Sequence, residues 1–214
     1  SQVQTALTAY RKSFDQFVEI SQSKDLSLEM ASWSVSSVAN NLDVLQAGLA
    51  DDGTYALKDS QGQQGAEFIA QANQVSQVSR LMLQAMDEAR VRLDQSRKTG
   101  SGEPRKEGKI EQADQALALA EQLKGVVKDS GYLTVLGEVS THIGNFTEKL
   151  AEYTGLLANE AQVSQQLADN AKQVVQRVNE AYSAEDQAMQ AELKASSLLI
   201  IGSSMLALLV GLIA

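Results

Sequence analysis

A single proline, Pro104, interrupts 214 residues in which Ala, Gln and Leu are abundant. Proline inside a helix removes a backbone hydrogen bond and costs ~3 kcal/mol, so a chain that nearly lacks it is free to run in long helices. The apolar residues carry the matching period. Val3, Leu7, Tyr10, Phe14 and Phe17 recur at three-and-four spacing, as do Leu28, Val35, Leu42, Leu45 and Leu49. That spacing predicts helices over 1–22 and 26–50, broken at Ser23-Lys24-Asp25, with Ser27 as cap of the second. Residues 51–65 hold three Gly and little apolar content, which reads as a loop or a fraying helix.

A third helix is expected from Ala66 to Lys98, with Phe68, Ala72, Val75, Met82, Met86, Ala89 and Leu93 inside; Thr99 to Pro104 ends it. A fourth, over 105–128, presents Ile110, Ala113, Leu117 and Ala120. After a break at 129–131 comes the heptad stripe Leu136, Val139, Ile143, Phe146, Leu150, Tyr153, and a turn is expected at 155–159. The sixth helix then carries Val163, Leu167, Val174 and Val178, followed by Ala181, Ala184 and Ala188. The fold class this predicts is all-α: six helices in two stacked four-helix modules, followed by the start of a transmembrane helix. The membrane-proximal module would use 1–22, 80–128 and 165–195, and the distal one 26–79 and 131–164.

The membrane expectation rests on Ser196 to Ala214, which contains no charge and is long enough to cross a ~30 Å hydrocarbon core. No polar flank follows it, and no initiator Met or signal-like run opens the chain, so the sequence reads as a fragment with its first membrane segment removed upstream, an end that signal-peptide cleavage would also leave. Residues 1–195 are then extracytoplasmic. A formal net charge of −9 and the lack of a basic stripe argue against nucleic acid as a partner. There is no Cys and one His, and no phosphate-binding glycine loop, zinc-helix motif or nucleophile elbow, so nothing motif-based points to an enzyme, a metal or a cofactor.

Three segments carry a resemblance. They are Tyr10-Arg-Lys-Ser-Phe14-Asp-Gln-Phe17, then Met82-Leu-Gln-Ala-Met-Asp-Glu-Ala-Arg90, and the final Ala- and Gln-rich helix that feeds the apolar run. With them the chain resembles the helical bimodular sensor domains of bacterial methyl-accepting chemotaxis receptors, also found in some sensor histidine kinases. The resemblance implies a homodimeric receptor in the inner membrane, whose periplasmic domain binds a small organic acid and signals through the last helix. A di- or tricarboxylate, or a short monocarboxylate, is the implied ligand.

Holding a carboxylate in a helical bundle takes cationic and amide donors beside the apolar stripes, because an unpaired buried anion is costly. The residues so placed are Arg11, Lys12, Arg80, Arg90, Lys124, Asn170, Gln173 and Arg177. Arg11 and Arg177 are the expected anion holders, Asn170 and Gln173 orient the ligand, and Lys12 and Arg80 complete the set. The bland alternative is that these long side chains cover stripe edges with their heads in water. Arg97, Lys98, Arg105 and Lys106 read as lipid-headgroup contacts, Trp33 as packing or a dimer contact, and His142 as an ordinary helix residue. A ligand-free structural bundle is the competing function.

Overall fold

A computed structural model describes the backbone of residues 2–99 and 110–213 and the side chains of 2–95 and 110–200. Among the described residues the protein is all-helical, with four helices where six were expected: α1 Gln2–Lys58, α2 Gly62–Thr99, α3 Glu111–Val126 and α4 Ser130–Ile213. The chain divides into a terminal unit, Ser1–Phe17 with Val163–Ala214, and a central unit, Val18–Gln162. Residues 80–128, expected beside 1–22 and 165–195, belong to the central unit.

Two expected breaks are absent and a third is shortened, each for a local reason. At 23–25 the helix continues: the Ser27 hydroxyl donates back to the Ser23 carbonyl at 3.0 Å instead of capping a new helix. Lys24 there reaches Glu160, donating to both carboxylate oxygens at 2.7 and 2.6 Å. At 51–65 only Asp59 to Gln61 leave the helix. Ser60 takes a left-handed φ of 63°, its N–H donating to Leu57 O at 3.3 Å and the Gln61 N–H to Ala56 O at 2.9 Å, a crossed pair that closes a helix C-terminus. At 155–159 the helix runs on through Gly155, with Thr154 bonded back to Ala151 O at 2.8 Å.

The break expected at 129–131 falls at 127–129, and Asp129 caps α4: its Oδ1 accepts the Tyr132 N–H at 2.9 Å. Expected breaks and contacts within 100–109 lie outside the described residues, as do the side chains of Arg97 and Lys98.

The central unit is an up-down-up-down bundle of the four helices. Interhelical pairs with falling numbers fix the antiparallel register of α1 and α4: Tyr132 Oη donates to Asp52 at 2.7 Å, Asn41 Nδ2 to Glu138 at 3.2 Å, and Lys24 to Glu160. Its core takes Val38, Leu42, Leu45 and Leu49 from α1, Val75, Val78 and Met82 from α2, and Leu136 to Leu150 from α4. A fully buried large apolar side chain contributes about 1.5–3 kcal/mol, so this core dominates the stability of the unit. The α3 face is mostly alanine, Ala113, Ala116 and Ala120, with Leu123. At the α1–α2 tip Gly53 and Gly65 allow close approach: a Cβ on Gly65 would lie 2.9 Å from Gly53 O.

The terminal unit is an antiparallel pair, α1 to residue 17 against α4 from 163. Few residues bury: Ala6, Ser13 and Val163. The inner face expected for the first helix is one position off, since Leu7 and Phe14 are 48% and 46% exposed while Ala6 and Ser13 turn inward. From Tyr182 to Ile200 every residue of α4 is exposed. Among the described residues no helix is long and apolar enough to cross a membrane. The segment expected to do so, Ser196 to Ala214, continues into residues 201–214, whose side chains lie outside the described residues.

Candidate functional site

In the terminal unit, Asn170 is the clamp between the two helices. Its Nδ2 donates to the Ala9 carbonyl at 3.3 Å and to Ser13 Oγ at 3.2 Å, while the Ser13 hydroxyl donates to Tyr10 O at 2.8 Å. An amide on a helix–helix seam replaces an apolar knob only where such partners satisfy it. Beside this clamp a cleft of about 440 Å³ opens, lined by Ala9, Lys12, Ser13 and Gln16 of α1 and Gln166, Asp169 and Asn170 of α4. These positions follow from the helix period: 9, 12, 13 and 16 share one side of α1, and 166, 169 and 170 one side of α4.

Lys12 supplies the cleft's cation, and Gln16 and Gln166 supply amide N–H donors. Asp169 brings a carboxylate whose nearest cation, Lys172, is 3.8 Å away, with both side chains mostly exposed. A carboxylate ligand would find charge-assisted donors on the α1 side, and Asp169 would repel it or hold an ammonium group. A wider depression of about 800 Å³ follows α4 from Ala171 to Gln187, but all its lining residues belong to that one helix and give it no opposing wall.

The expected site residues separate. Lys12 and Asn170 line the cleft together. Gln173, exposed, follows Asn170 by three residues on the same side of α4. Arg177 stands lower on that side, donating to Gln2 Oε1 at 3.2 Å and to Glu180 at 2.7 Å. The Glu180 carboxyl is held below its usual value, first by the bond from Arg177 and then by one from Gln176. Arg11 is exposed and is not part of the cleft lining. The level of Arg177, set by Gln2, is nine residues from Arg11, or ~13 Å along α1. The two arginines therefore do not meet. Arg80 is exposed and belongs to the central unit.

Two features of the central unit have no forerunner in the sequence pattern. Lys24 and Glu160 form an ion pair with only 16% and 20% of their side chains exposed, 136 residues apart in sequence. Trp33 and His142 meet edge to face with centroids 5.1 Å apart. Trp33 remains 59% exposed on its other side. Neither pair has a sequence signature, because nothing in a helical period ties positions more than a hundred residues apart. The Tyr153 hydroxyl is buried and finds no bonding partner among the described residues. Among the described residues no cluster of His, Cys, Asp or Glu could hold a metal ion. No protein family model, curated protein or solved structure matches the chain.

Proposed function

We propose that this chain is the ligand-binding part of a transmembrane sensor, whose terminal helix pair takes a small carboxylate beside Lys12 and Asn170. In this reading residues 1–195 lie outside the cytoplasm of a bacterial cell, and Ser196 to Ala214 enter the membrane. The chain serves a chemoreceptor or a histidine kinase as its sensor domain and is not itself catalytic. The observation that carries the reading is the polar cleft itself: a cation with no ion-pair partner among the described residues and two amides gather beside the part-buried clamp Ser13–Asn170. The same α4 that carries Asn170 runs helical to Ile213, so one element joins the cleft to the apolar segment. Lys12 and the amides Gln16 and Gln166 hold the ligand's carboxylate, and Asn170 fixes the spacing of the helices around it. Gln173 extends the donor row, and Arg177 reaches a second carboxylate on a longer ligand only by leaving Gln2 or Glu180.

A ligand-free interaction bundle is the second reading, and one observation favours it: the Asn170 amide hydrogens are already used between the helices. Titration calorimetry with a panel of mono-, di- and tricarboxylates and zwitterionic amino acids separates the two. The sensor reading expects at least one saturable ligand, whose affinity falls about tenfold in Lys12→Ala, as loss of one charge-assisted bond implies. Absence of binding across the panel leaves the interaction reading.

A further inference from the structure

The two walls of the polar cleft differ in kind. Asn170 donates from Nδ2 to Ala9 O and to Ser13 Oγ, so both amide hydrogens are spent on α1. That use fixes which way the amide faces, because turning it over would set its carbonyl against the Ala9 carbonyl. What Asn170 has left for a ligand is Oδ1, an acceptor with no donor among the described residues. Asp169, beside it in the cleft lining, adds two acceptor oxygens and a negative charge. On the α1 wall the charged group is the Lys12 ammonium, which only donates. Gln16 and Gln166 serve either way, since a side-chain amide both donates and accepts.

The opposed charges also stand level. Because Asn170 bonds to both Ala9 and Ser13, it lies opposite the middle of that turn of α1. The two helices are antiparallel here, so Asp169, one residue earlier on α4, lies opposite Lys12. The two side chains do not close on one another. The cation nearest Asp169 is Lys172 of its own helix, at 3.8 Å, and Lys12 has no ion-pair partner among the described residues.

A simple carboxylate satisfies Lys12 and is left facing the like charge of Asp169. We propose that the cleft takes an α-amino acid as its zwitterion, the carboxylate on Lys12 and the ammonium on Asp169 and Asn170 Oδ1. Each charge then meets its opposite, and the three ammonium hydrogens meet three oxygens of the α4 wall. With helix axes about 8–10 Å apart, side chains that reach in from both walls leave a short gap between their charged heads. The adjacent ammonium and carboxylate of an α-amino acid suit that gap. The cleft is open to solvent, so the ligand is recognised by this head group and its own side chain is held weakly. The proposal deepens the ligand reading of the same cleft and rests on it: that reading asks for a carboxylate, and this one also for an ammonium group.

Calorimetric titration of the full chain in mild detergent tests this with acids matched in all but the amino group. The pairs are glycine and acetate, alanine and propanoate, serine and 3-hydroxypropanoate, aspartate and succinate, glutamate and glutarate, at low salt to limit screening. At least one amino acid is expected to bind tenfold or more tightly than its partner. Asp169→Asn should weaken that amino acid tenfold or more and leave its partner unchanged or tighter, so that the preference disappears. Lys12→Met should weaken both. Lys12 and Asp169 are exposed, so helicity should stay unchanged in both variants. Acids that bind as tightly as their amino counterparts, or a preference that survives Asp169→Asn, overturn the zwitterion and leave the carboxylate reading in place. If no amino acid binds, the zwitterion falls, and binding or not of the acids decides whether the ligand reading falls with it.

Discussion

At the residue scale, Tyr132 gives the clearest handle. Its ring lies against Gly48, where a Cβ would come 2.6 Å from the phenol oxygen, and its hydroxyl donates to Asp52 at 2.7 Å. Burial first, then the bond and the charges of Asp52, Asp129 and Asp51, push this phenol up to about 12. The unfolded chain ionises its tyrosines near 10, so between those values the unfolded state releases a proton that the folded state keeps. The stability due to the neutral phenol is complete below pH 10 and is lost as pH rises through about 12. A two-unit shift corresponds to at most ~2.7 kcal/mol, and partial solvent exposure reduces this to about 1 kcal/mol. Urea melts from pH 9 to 12 should show a steeper loss for the wild type than for Tyr132→Phe; parallel curves would refute the assignment. Lys24 makes the complementary point about what residues disclose. A Ser-Lys-Asp run reads as a helix break, yet its lysine meets a carboxylate 136 positions away, and only the tertiary partner makes a helical interior of it.

At the element scale, glycine is where local reading and packing part. Gly53 and Gly65 lie in a stretch whose composition says loop, but both sit in helices that approach at the α1–α2 tip. Gly155, expected in a turn, sits in α4, where an added methyl would meet nothing within 4 Å. The periods of 3 and 4 disclosed the all-helical class and most of the central core, including every member of the stripe from Leu136 to Tyr153. They did not disclose phase on α1, where alanine and serine, rather than Leu7 and Phe14, take the inner face, because a two-helix seam favours small residues that let backbones approach. The contrast makes a paired prediction. Gly65→Ala gains helix propensity, ~1 kcal/mol, but drives a methyl to 2.9 Å from the Gly53 carbonyl, and overpacking against backbone costs about 1–3 kcal/mol. Gly155→Ala gains the same propensity without a clash. Thermal melts should show the first neutral to destabilised and the second raised by a few degrees; a clear rise for Gly65→Ala would mean the tip yields without strain.

At the scale of the whole molecule, α1 and α4 each contribute to both units, and α4 runs 84 residues without a break. Of the proposed site, the sequence disclosed the polar positions at helical spacing, among them Lys12 and Asn170, which do line one cleft. It could not disclose their level on opposing helices, and so it joined Arg11 to Arg177, which stand ~13 Å apart along the pair. From Tyr182 to Ile200 every residue of the helix is exposed, so its continuity there rests on alanine-rich propensity, and isolated helices are marginal in water. If this rod carries a binding event from Asn170 toward Ser196, two glycines inserted after Ala184 should interrupt it, at ~1 kcal/mol each, while two alanines should only rotate and lengthen it. A fluorophore on Ser196→Cys is expected to respond to ligand in the parent chain and with the alanine insertion, and to fall silent with the glycine insertion. Ligand affinity should stay within about twofold in all three, because the cleft lies more than two helical turns away. Hydrogen exchange should accelerate around 181–195 in the glycine form alone. A fluorophore response that survives this local opening would show that the signal does not travel along α4.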